Sequence, residues 1–531
     1  MKRIVLLIIF NTILYSLDAQ FNIRGTVENE NGEPLIGASV FLHRSEFATI
    51  TDENGEYLLE DVDQGYYLLK CTHLSYESYT EGFDIEEDLE INLIMIRGVY
   101  NLENIEITAN DLQEDAPFAY NNYKREDIEL KNLGQDLPIL LEHSPSLVVT
   151  SDAGNGVGYT GMRIRGTDPT RVNVTINGVP LNDAESHGVF WVNLPDFASS
   201  VNDIQLQRGA GPSTNGSGAF GATVALNTNK VFENPYVSIN GGYGSFNTRK
   251  VSVGMSTGLI NNSFMLEGRY STINSDGYID RASSSLKSWY FSAAKINKKS
   301  SLRFNAFSGK EVTYQAWNGV PEAKLNDDVS LNEHYFNNLG VLYNTPADST
   351  NLFDSGRTYN YYTYETQVDD YRQNHLQLIY TVQTGDNFRL NATLHQTTGK
   401  GFFEEFRYQD ALAFYNIIDT FEVSDLVRRR WLDNKFYGFI LNGDWTLSTK
   451  AKLLLGGSLS LYDGDHFGEV ISSADSLVTS LPKTYYENVG NKNDLNIYAK
   501  LNSELSDKLS LFADLQYRSI DYDVLGVDNG D

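Results

Sequence analysis

Phe388-Arg-Leu-Asn-Ala-Thr-Leu-His395 alternates without a break. Phe388, Leu390, Ala392 and Leu394 share one face, and Arg389, Asn391, Thr393 and His395 share the other. Successive side chains of an extended chain point to opposite faces, so this stretch reads as a two-faced strand. The pattern returns further on. Leu495, Ile497, Ala499 and Leu501 alternate with Asn496, Tyr498, Lys500 and Asn502, and Leu509 to Tyr517 repeats it. A period of two over ~10 residues fits a transmembrane barrel strand. A soluble β-sandwich strand has the same period, so the connections must separate the two readings. Asn297-Lys-Lys-Ser300, Thr384-Gly-Asp-Asn387, Ser448-Thr-Lys450 and Leu505-Ser-Asp-Lys508 are tight turns. They alternate with long polar segments near 312–372, 400–434 and 465–493. Short turns at one end and long loops at the other are the layout of outer-membrane barrels, with the short side periplasmic. Tyr and Phe near the strand ends supply aromatic girdles.

About eleven such strands are expected between 235 and 531, starting near Tyr236, Arg249, Asn262, Leu286, Ser300, Gln373, Asn387, Lys435, Ala451, Asp494 and Lys508. Val524 to Asp531 reads as an outer loop. An odd set leaves unpaired strand edges in lipid, which is costly. The expectation is therefore a partial barrel, with strands missing from this chain.

Upstream, residues 115–230 read as a compact α/β region. Ile128 to Leu141 is expected to be a helix, with Leu130, Leu133, Leu137, Leu140 and Leu141 at helical spacing, ended by Pro145. Strands follow at Met162-Arg-Ile-Arg-Gly166, Arg171-Val-Asn-Val-Thr-Ile-Asn-Gly-Val-Pro180, Val201-Asn-Asp-Ile-Gln-Leu-Gln-Arg-Gly209 and Gly218 to Thr228. The order R-I-R-G, then V-x-I-N-G-V-P-L, then R-G-x-G-P-S-x-x-G-S-G-A-x-G-A-x-V resembles the plug domain of TonB-dependent outer-membrane transporters. The likeness covers about 110 residues. It implies a complete barrel of about 22 strands, roughly twice the number read here.

Residues 21–97 read as a small β-sandwich, with Asn54-Gly55 as a hairpin signal. The pattern G-T-V, G-x-P-L-x-G-A-S-V, T-D-x-N-G-x-Y resembles the carboxypeptidase-regulatory-like sandwich that some transporters of this kind carry. It implies a structural or interaction module. His43 and His73 have no partner at zinc-site spacing. Between the two regions lies 102–109, which contains Ile105-Glu106-Ile107-Thr108. Taken alone it could be the last strand of the sandwich. The resemblance makes Ile105, Glu106, Ile107 and Thr108 a Ton box, the strand that pairs with the energy-coupling protein TonB.

Composition agrees with an exported β protein. Seventy Asp and Glu against 41 Lys and Arg give a net charge of -29, which opposes nucleic-acid binding. The single cysteine, Cys71, excludes an intramolecular disulfide and any Cys-based zinc site. Residues 1–20 read as a signal peptide, with Lys2 and Arg3, the apolar run Ile4 to Phe10 and small Ala19. The fold expected is mainly β: an N-terminal β-sandwich, an α/β plug and an antiparallel transmembrane β-barrel represented by about half of its strands.

Gly209-Ala-Gly211 and Gly154-Asn-Gly156 lack the Gly-Lys-Ser/Thr ending of a phosphate loop. Glu185 and His187 sit near Phe190 and Trp191 but without a nucleophile or third ligand, so no catalytic or metal site is expected. Glu185 to His187 is expected to be a solvated loop in the main. The resemblance makes His187, Phe190 and Trp191 the candidate ligand contacts, because that plug segment should reach the outer apex. It implies a non-enzyme of the outer membrane with no cofactor and a periplasmic N-terminal domain. Its partners would be TonB, membrane lipid and a small-molecule ligand, first of all an iron chelate, with a glycan, peptide or cobalamin as alternatives. An adhesin without transport is the reading from another class.

Overall fold

The computed structural model describes residues 20–96 and 119–527, apart from 46, 74, 75, 77, 216–219, 327, 386, 418–421, 476–480 and 507. The leader 1–19 and the segment 105–108 lie outside the described residues. The chain forms two units that divide between Asn104 and Ile105.

The first unit holds β1 (Gln20–Asn29), β2 (Ser39–Leu42), β3 (Ala48–Ile50), β4 (Glu56–Asp63), β5 (Gly65–Thr72), β6 (Tyr79–Ile85), β7 (Leu89–Glu90) and β8 (Leu93–Met95). They make two sheets, β4-β1-β7 with β8 also on β1, and β3-β2-β5-β6. Ile23, Val27, Val40, Leu59 and Leu69 alternate inward and fill the core between them. Cys71 is buried there, its Sγ 3.4 Å from Met95 Sδ. Burial pushes its thiol up to about 11, so it packs as an apolar side chain.

The second unit begins with the plug. Its elements are β9 (Ala119–Lys124), α1 (Arg125–Lys131), α2 (Leu137–Leu140), β10 (Leu147–Ser151), β11 (Thr160–Ile164), β12 (Val172–Ile176), β13 (Val179–Pro180), β14 (Asp203–Arg208) and β15 (Ala222–Asn227). The sheet order is β13-β12-β15-β14-β9, with β12 parallel to β15 and the other pairs antiparallel. β9 is an edge strand, paired among the described residues with β14 alone, from Ala119↔Arg208 to Lys124↔Asp203, while Tyr123 packs on the core and meets Ser144 Oγ at 2.5 Å. Val174, Ile176, Ile204, Leu206 and Val224 form the sheet's part of the core. Asn177 and Gly178 join β12 to β13 with φ of 54° and 81°, the two left-handed residues of a type I′ hairpin turn. The single helix expected over 128–141 is two. α1 ends at Asn132, Gly134 takes φ 118°, and α2 starts after Asp136. Leu130 and Leu133 are exposed while Leu137, Leu140 and Leu141 are buried, so the leucines do not share one face.

Eleven strands follow: β16 (Tyr236–Tyr243), β17 (Arg249–Ser256), β18 (Phe264–Ser275), β19 (Ser284–Asn297), β20 (Ser300–Tyr314), β21 (Val368–Thr384), β22 (Phe388–Ala411), β23 (Val423–Ser448), β24 (Ala451–Ser473), β25 (Lys483–Ser506) and β26 (Leu509–Gly526). Each pairs antiparallel with the next, in chain order. Their polarity settles what the period of two could not. Leu376, Leu378 and Tyr380 are exposed while His375, Gln377 and Thr381 are buried. Leu495 and Ile497 are exposed while Asn496 and Tyr498 are buried. A soluble sandwich buries its apolar face. This sheet shows it outward and packs its polar face inward, as a lipid-facing barrel wall does.

Three expectations are corrected here. The segments 400–434 and 465–493 are not long loops: β22 to β25 run up through most of them, and the ladders continue past register shifts at Arg407/Asp410, Val427/Arg428 and Gly468/Glu469. Polar composition misled, because these segments mix polar residues with a small buried cluster of Leu412, Tyr415, Leu426, Val470 and Tyr485 and do not alternate strictly. Residues 315–367 are a lobe rather than an open loop. It contains α3 (Glu322–Asn326), α4 (Ser330–Asn337) and α5 (Pro346–Asp354) around Leu331, Tyr343, Leu352 and Tyr359. Val524 to Gly526 is the end of β26, paired with β25, and not loop.

The plug sits against the inner face. Asp196 of the plug meets Lys250 on β17, and Ser213 meets Asp514 on β26. Contacts at both ends of the sheet mean that it wraps round the plug.

Candidate functional site: the plug apex and its cavity

The chain after β13 turns over in a tight loop, residues 181–190. Asn182 ties it to the sheet beneath: its Oδ1 accepts from Val174 N at 2.8 Å, and its Nδ2 donates to Val172 O and His187 O at 2.9 Å. Asp183 Oδ1 accepts from Ser186 N at 2.7 Å and Glu185 N at 3.1 Å. His187 is held with φ of 59°, a left-handed conformation that few non-glycine residues adopt. These short polar side chains add to the loop's own backbone bonds, Asp183 N to Gly188 O at 2.9 Å and His187 N to Asp183 O at 3.1 Å.

The locked loop aims Glu185 at the wall. Its carboxylate accepts from Tyr462 Oη at 2.7 Å and Tyr522 Oη at 2.8 Å, and lies 2.9 Å from His466 Nε2. Lys492 Nζ donates to Ala184 O. Burial by itself would push the Glu185 carboxyl up, but His466 and the two tyrosine hydroxyls overcome it and hold it below the usual glutamate range. Burial, with Lys492 and Arg518 nearby, keeps the His187 imidazole below its ordinary value.

A cavity of about 710 Å³ lies beside this loop. Its plug side includes Tyr159, Phe190 and Asn193, and its wall side Trp317, Tyr371 and Phe403. Trp317 stands edge-on to Tyr159 and Phe403, with ring centroids 5.5 and 5.6 Å apart. A smaller cavity of about 460 Å³ on the other flank is lined by His187, Lys492 and Arg518. Asp183 lines both.

The expected contacts therefore divide. Phe190 is 47% exposed and lines the larger cavity, while exposed His187 lines the smaller. Trp191 is 4% exposed and packs in the plug core with Leu194, Phe197 and Ile204, away from any ligand surface. Glu185, read as part of a solvated loop, is instead bonded to three wall residues. Trp317, Phe403 and His466 carry no local signal in the sequence. They stand 130 to 280 residues from the apex, and no local pattern reports that distance.

A second plug contact lies lower. Asp196 accepts from Lys250 Nζ at 2.6 Å, Ser199 Oγ at 2.6 Å and Ser271 Oγ at 2.7 Å, and pairs with Arg269 Nη1 at 3.3 Å. Burial would push this carboxyl up. Arg269 and Lys250 overcome it and hold it at about 2. Gly309 lets the wall approach here, since a Cβ on it would fall 2.0 Å from Asn193 O.

Residues 23–107 match the family model of the CarboxypepD_reg-like domain, and residues 112–223 match that of the TonB-dependent Receptor Plug Domain. The chain is similar to the vitamin B12 transporter BtuB of Vibrio cholerae, 26% identical over 154 residues, which is 28% of this chain and 24% of that protein. It is likewise 26% identical over 191 residues to BtuB of Vibrio vulnificus, 35% of this chain and 30% of the relative. The aligned part thus spans less than a third of these relatives. In fold it is similar to the ferric-catecholate import receptor Fiu from E. coli K12, with TM-score 0.57 and 15% identity over 77% of this chain and 57% of that one. The ferripyoverdine receptor of the outer membrane of Pseudomonas aeruginosa gives 0.56 and 12% over 80% and 53%. The chain thus carries a plug domain of the TonB-dependent receptor type over residues 112–223, seated against a wall of consecutive antiparallel strands and preceded by a CarboxypepD_reg-like domain.

Proposed function

We propose that this chain serves TonB-dependent import of a small-molecule ligand across the outer membrane. The observation that carries the reading is the 710 Å³ cavity at the plug apex, bordered by a plug loop that is tied to the wall through Glu185. A ligand that settles there touches both parts at once, so its binding can be felt by the plug. The outward apolar face supports an outer-membrane position, and the tight turns of the wall would face the periplasm.

Ile105, Glu106, Ile107 and Thr108 are the proposed TonB contact. Ile105 to Ile107 are the last residues of the first family match, which ends at 107, and Thr108 lies just before the second, which starts at 112. A β-prone segment there can leave this chain and pair as an added strand with its partner. No catalysis is assigned to the chain, in keeping with relatives that are transporters and receptors.

The cargo proposed is a metal chelate, an iron chelate first. The import receptor and ferripyoverdine receptor named above support iron, and the BtuB relatives support cobalamin as the second reading. Deletion in the native host tests both. Slower growth on one ferric chelate as sole iron source, restored by the gene, supports iron. Normal growth on ferric chelates with impaired cobalamin-dependent growth supports the second reading. Induction by a polysaccharide with no change in either growth test would overturn both.

A further inference from the structure

We infer that the ligand of the apex cavity presents a cationic, ring-bearing face, and that anionic chelates fit it poorly. The inference rests on the reading of this cavity as the ligand site.

Five carboxyl groups border the cavity: Asp152, Asp183, Glu185, Glu311 and Asp369. Glu185 has His466, Tyr462 and Tyr522. Among the described residues the other four form no ion pair with a lysine or arginine. Asp369 accepts from the Tyr159 hydroxyl, Glu311 from Thr313 Oγ1 at 3.1 Å, and Asp183 from its own loop. The cationic side chains on the same surface are Arg430 and His466. Arg430 lies over the rings of Phe403 and Tyr486, 5.4 and 6.0 Å from their centroids, and His466 is taken by Glu185.

Glu311 is buried and Asp152, Asp183 and Asp369 are half-buried, and carboxylates partly withdrawn from water are unfavourable as anions unless a cation meets them. An anionic ligand would deepen that cost, and a cationic one would relieve it. A second feature points the same way. Asn193 is 6% exposed and borders the cavity, and its Oδ1 has no hydrogen-bond partner among the described residues. An unpaired buried acceptor favours a ligand that brings a donor. The aromatic edges and faces of Phe190, Trp317, Tyr371 and Phe403 add flat apolar contact, and aromatic faces attract cations.

Rhodamine 6G and fluorescein test this, because they share a xanthene ring and differ in charge. Binding of each to the full chain in phosphatidylcholine nanodiscs is read by fluorescence anisotropy, with empty nanodiscs subtracted. The expected result is cationic rhodamine 6G binding about tenfold tighter than fluorescein, the scale of a 1.4 kcal/mol difference. The preference should shrink at least about threefold in Asp152→Asn/Asp369→Asn, and rhodamine 6G binding should weaken in Phe190→Ala. Equal or tighter binding of fluorescein, itself weakened by Phe190→Ala, overturns the charge inference and leaves the cavity reading standing. Rhodamine 6G binding that ignores Phe190→Ala reports only the net charge of the chain and overturns the inference. Binding of neither dye overturns the inference and the cavity reading together.

Discussion

Glu185 of the plug apex and His466 of the wall meet at 2.9 Å across 281 residues of chain, in a contact that two tyrosine hydroxyls complete. It is the point at which the loop that borders the larger cavity is fastened to strands β24 and β26. Glu185→Gln keeps the shape and removes the charge. It should cost about 1–2 kcal/mol of apex stability, the worth of charged hydrogen bonds. Hydrogen exchange of residues 181–190 should speed up while the rest of the plug stays protected. Unchanged exchange would mean that Asn182 and Asp183 alone hold the loop.

The same contact predicts a pH response. The Glu185 carboxyl is held below its ordinary value in the folded protein, so its contribution is full above the unfolded value and fades as pH falls through the folded one. Apex exchange, taken relative to the intrinsic amide rate at each pH, should therefore rise in acid, below the ordinary glutamate range. His466, held above its ordinary value by Glu185, should add a second rise as pH climbs past the ordinary histidine range. Glu185→Gln should flatten the acid rise. An acid-induced rise of equal size in the variant would assign it to another group.

Asp196 should matter more for holding the plug. Asp196→Ala leaves Lys250 and Arg269 buried without their carboxylate, and breaking a buried pair in this way costs about 3–5 kcal/mol. The melting temperature should fall, and outer membranes carrying the variant should admit large antibiotics. Because the folded carboxyl stays at about 2, this lock should hold until pH falls well below the ordinary aspartate range. A tight, fully stable Asp196→Ala protein would show that the lock is dispensable.

The three apex residues should separate by readout. Phe190→Ala should weaken ligand binding by about 1–3 kcal/mol with little change in melting. His187→Ala tests the smaller cavity in the same assay. Trp191→Ala should instead destabilise the plug by about 3–5 kcal/mol, since it empties a core position. Full binding by all three variants would place the ligand elsewhere.

Coupling has its own test. In an added strand the backbone makes most of the bonds, so Ile107→Ala should be mild and Ile107→Pro severe. Ile107→Pro should abolish uptake while surface ligand binding persists. Normal transport by Ile107→Pro would make the segment a strand or linker of the sandwich.

Much of this fold was legible because it is periodic. Alternation such as Leu495, Asn496, Ile497 marked the wall strands, and tight turns such as Asn297 to Ser300 marked one of their ends. Where polar and apolar residues do not alternate the signal vanished, as in Phe402 to Ala411, which continue β22. Leu130 and Leu133 mimicked a helix face across a break that Gly134 makes. At the apex, residue type suggested contact but not direction. Phe190 and Trp191 are adjacent and equally suited to a ligand, yet one lines the cavity and the other is core. The wall half of the site was unreadable, since only the curved sheet and its 315–367 lobe bring Trp317, Phe403 and His466 to the plug.

The edge position of β9 gives the plug a rip-cord. A tug from the side of residue 118 loads the Ala119–Arg208 pair first, and the six paired residues can strip from β14 one after another. That would pay out about 20 Å of slack, at 3.3–3.6 Å per residue. The remaining four strands, with Asn182 and Asp196 still fastened, would stay in place, so the hull can be breached at one seam before the whole cork must leave.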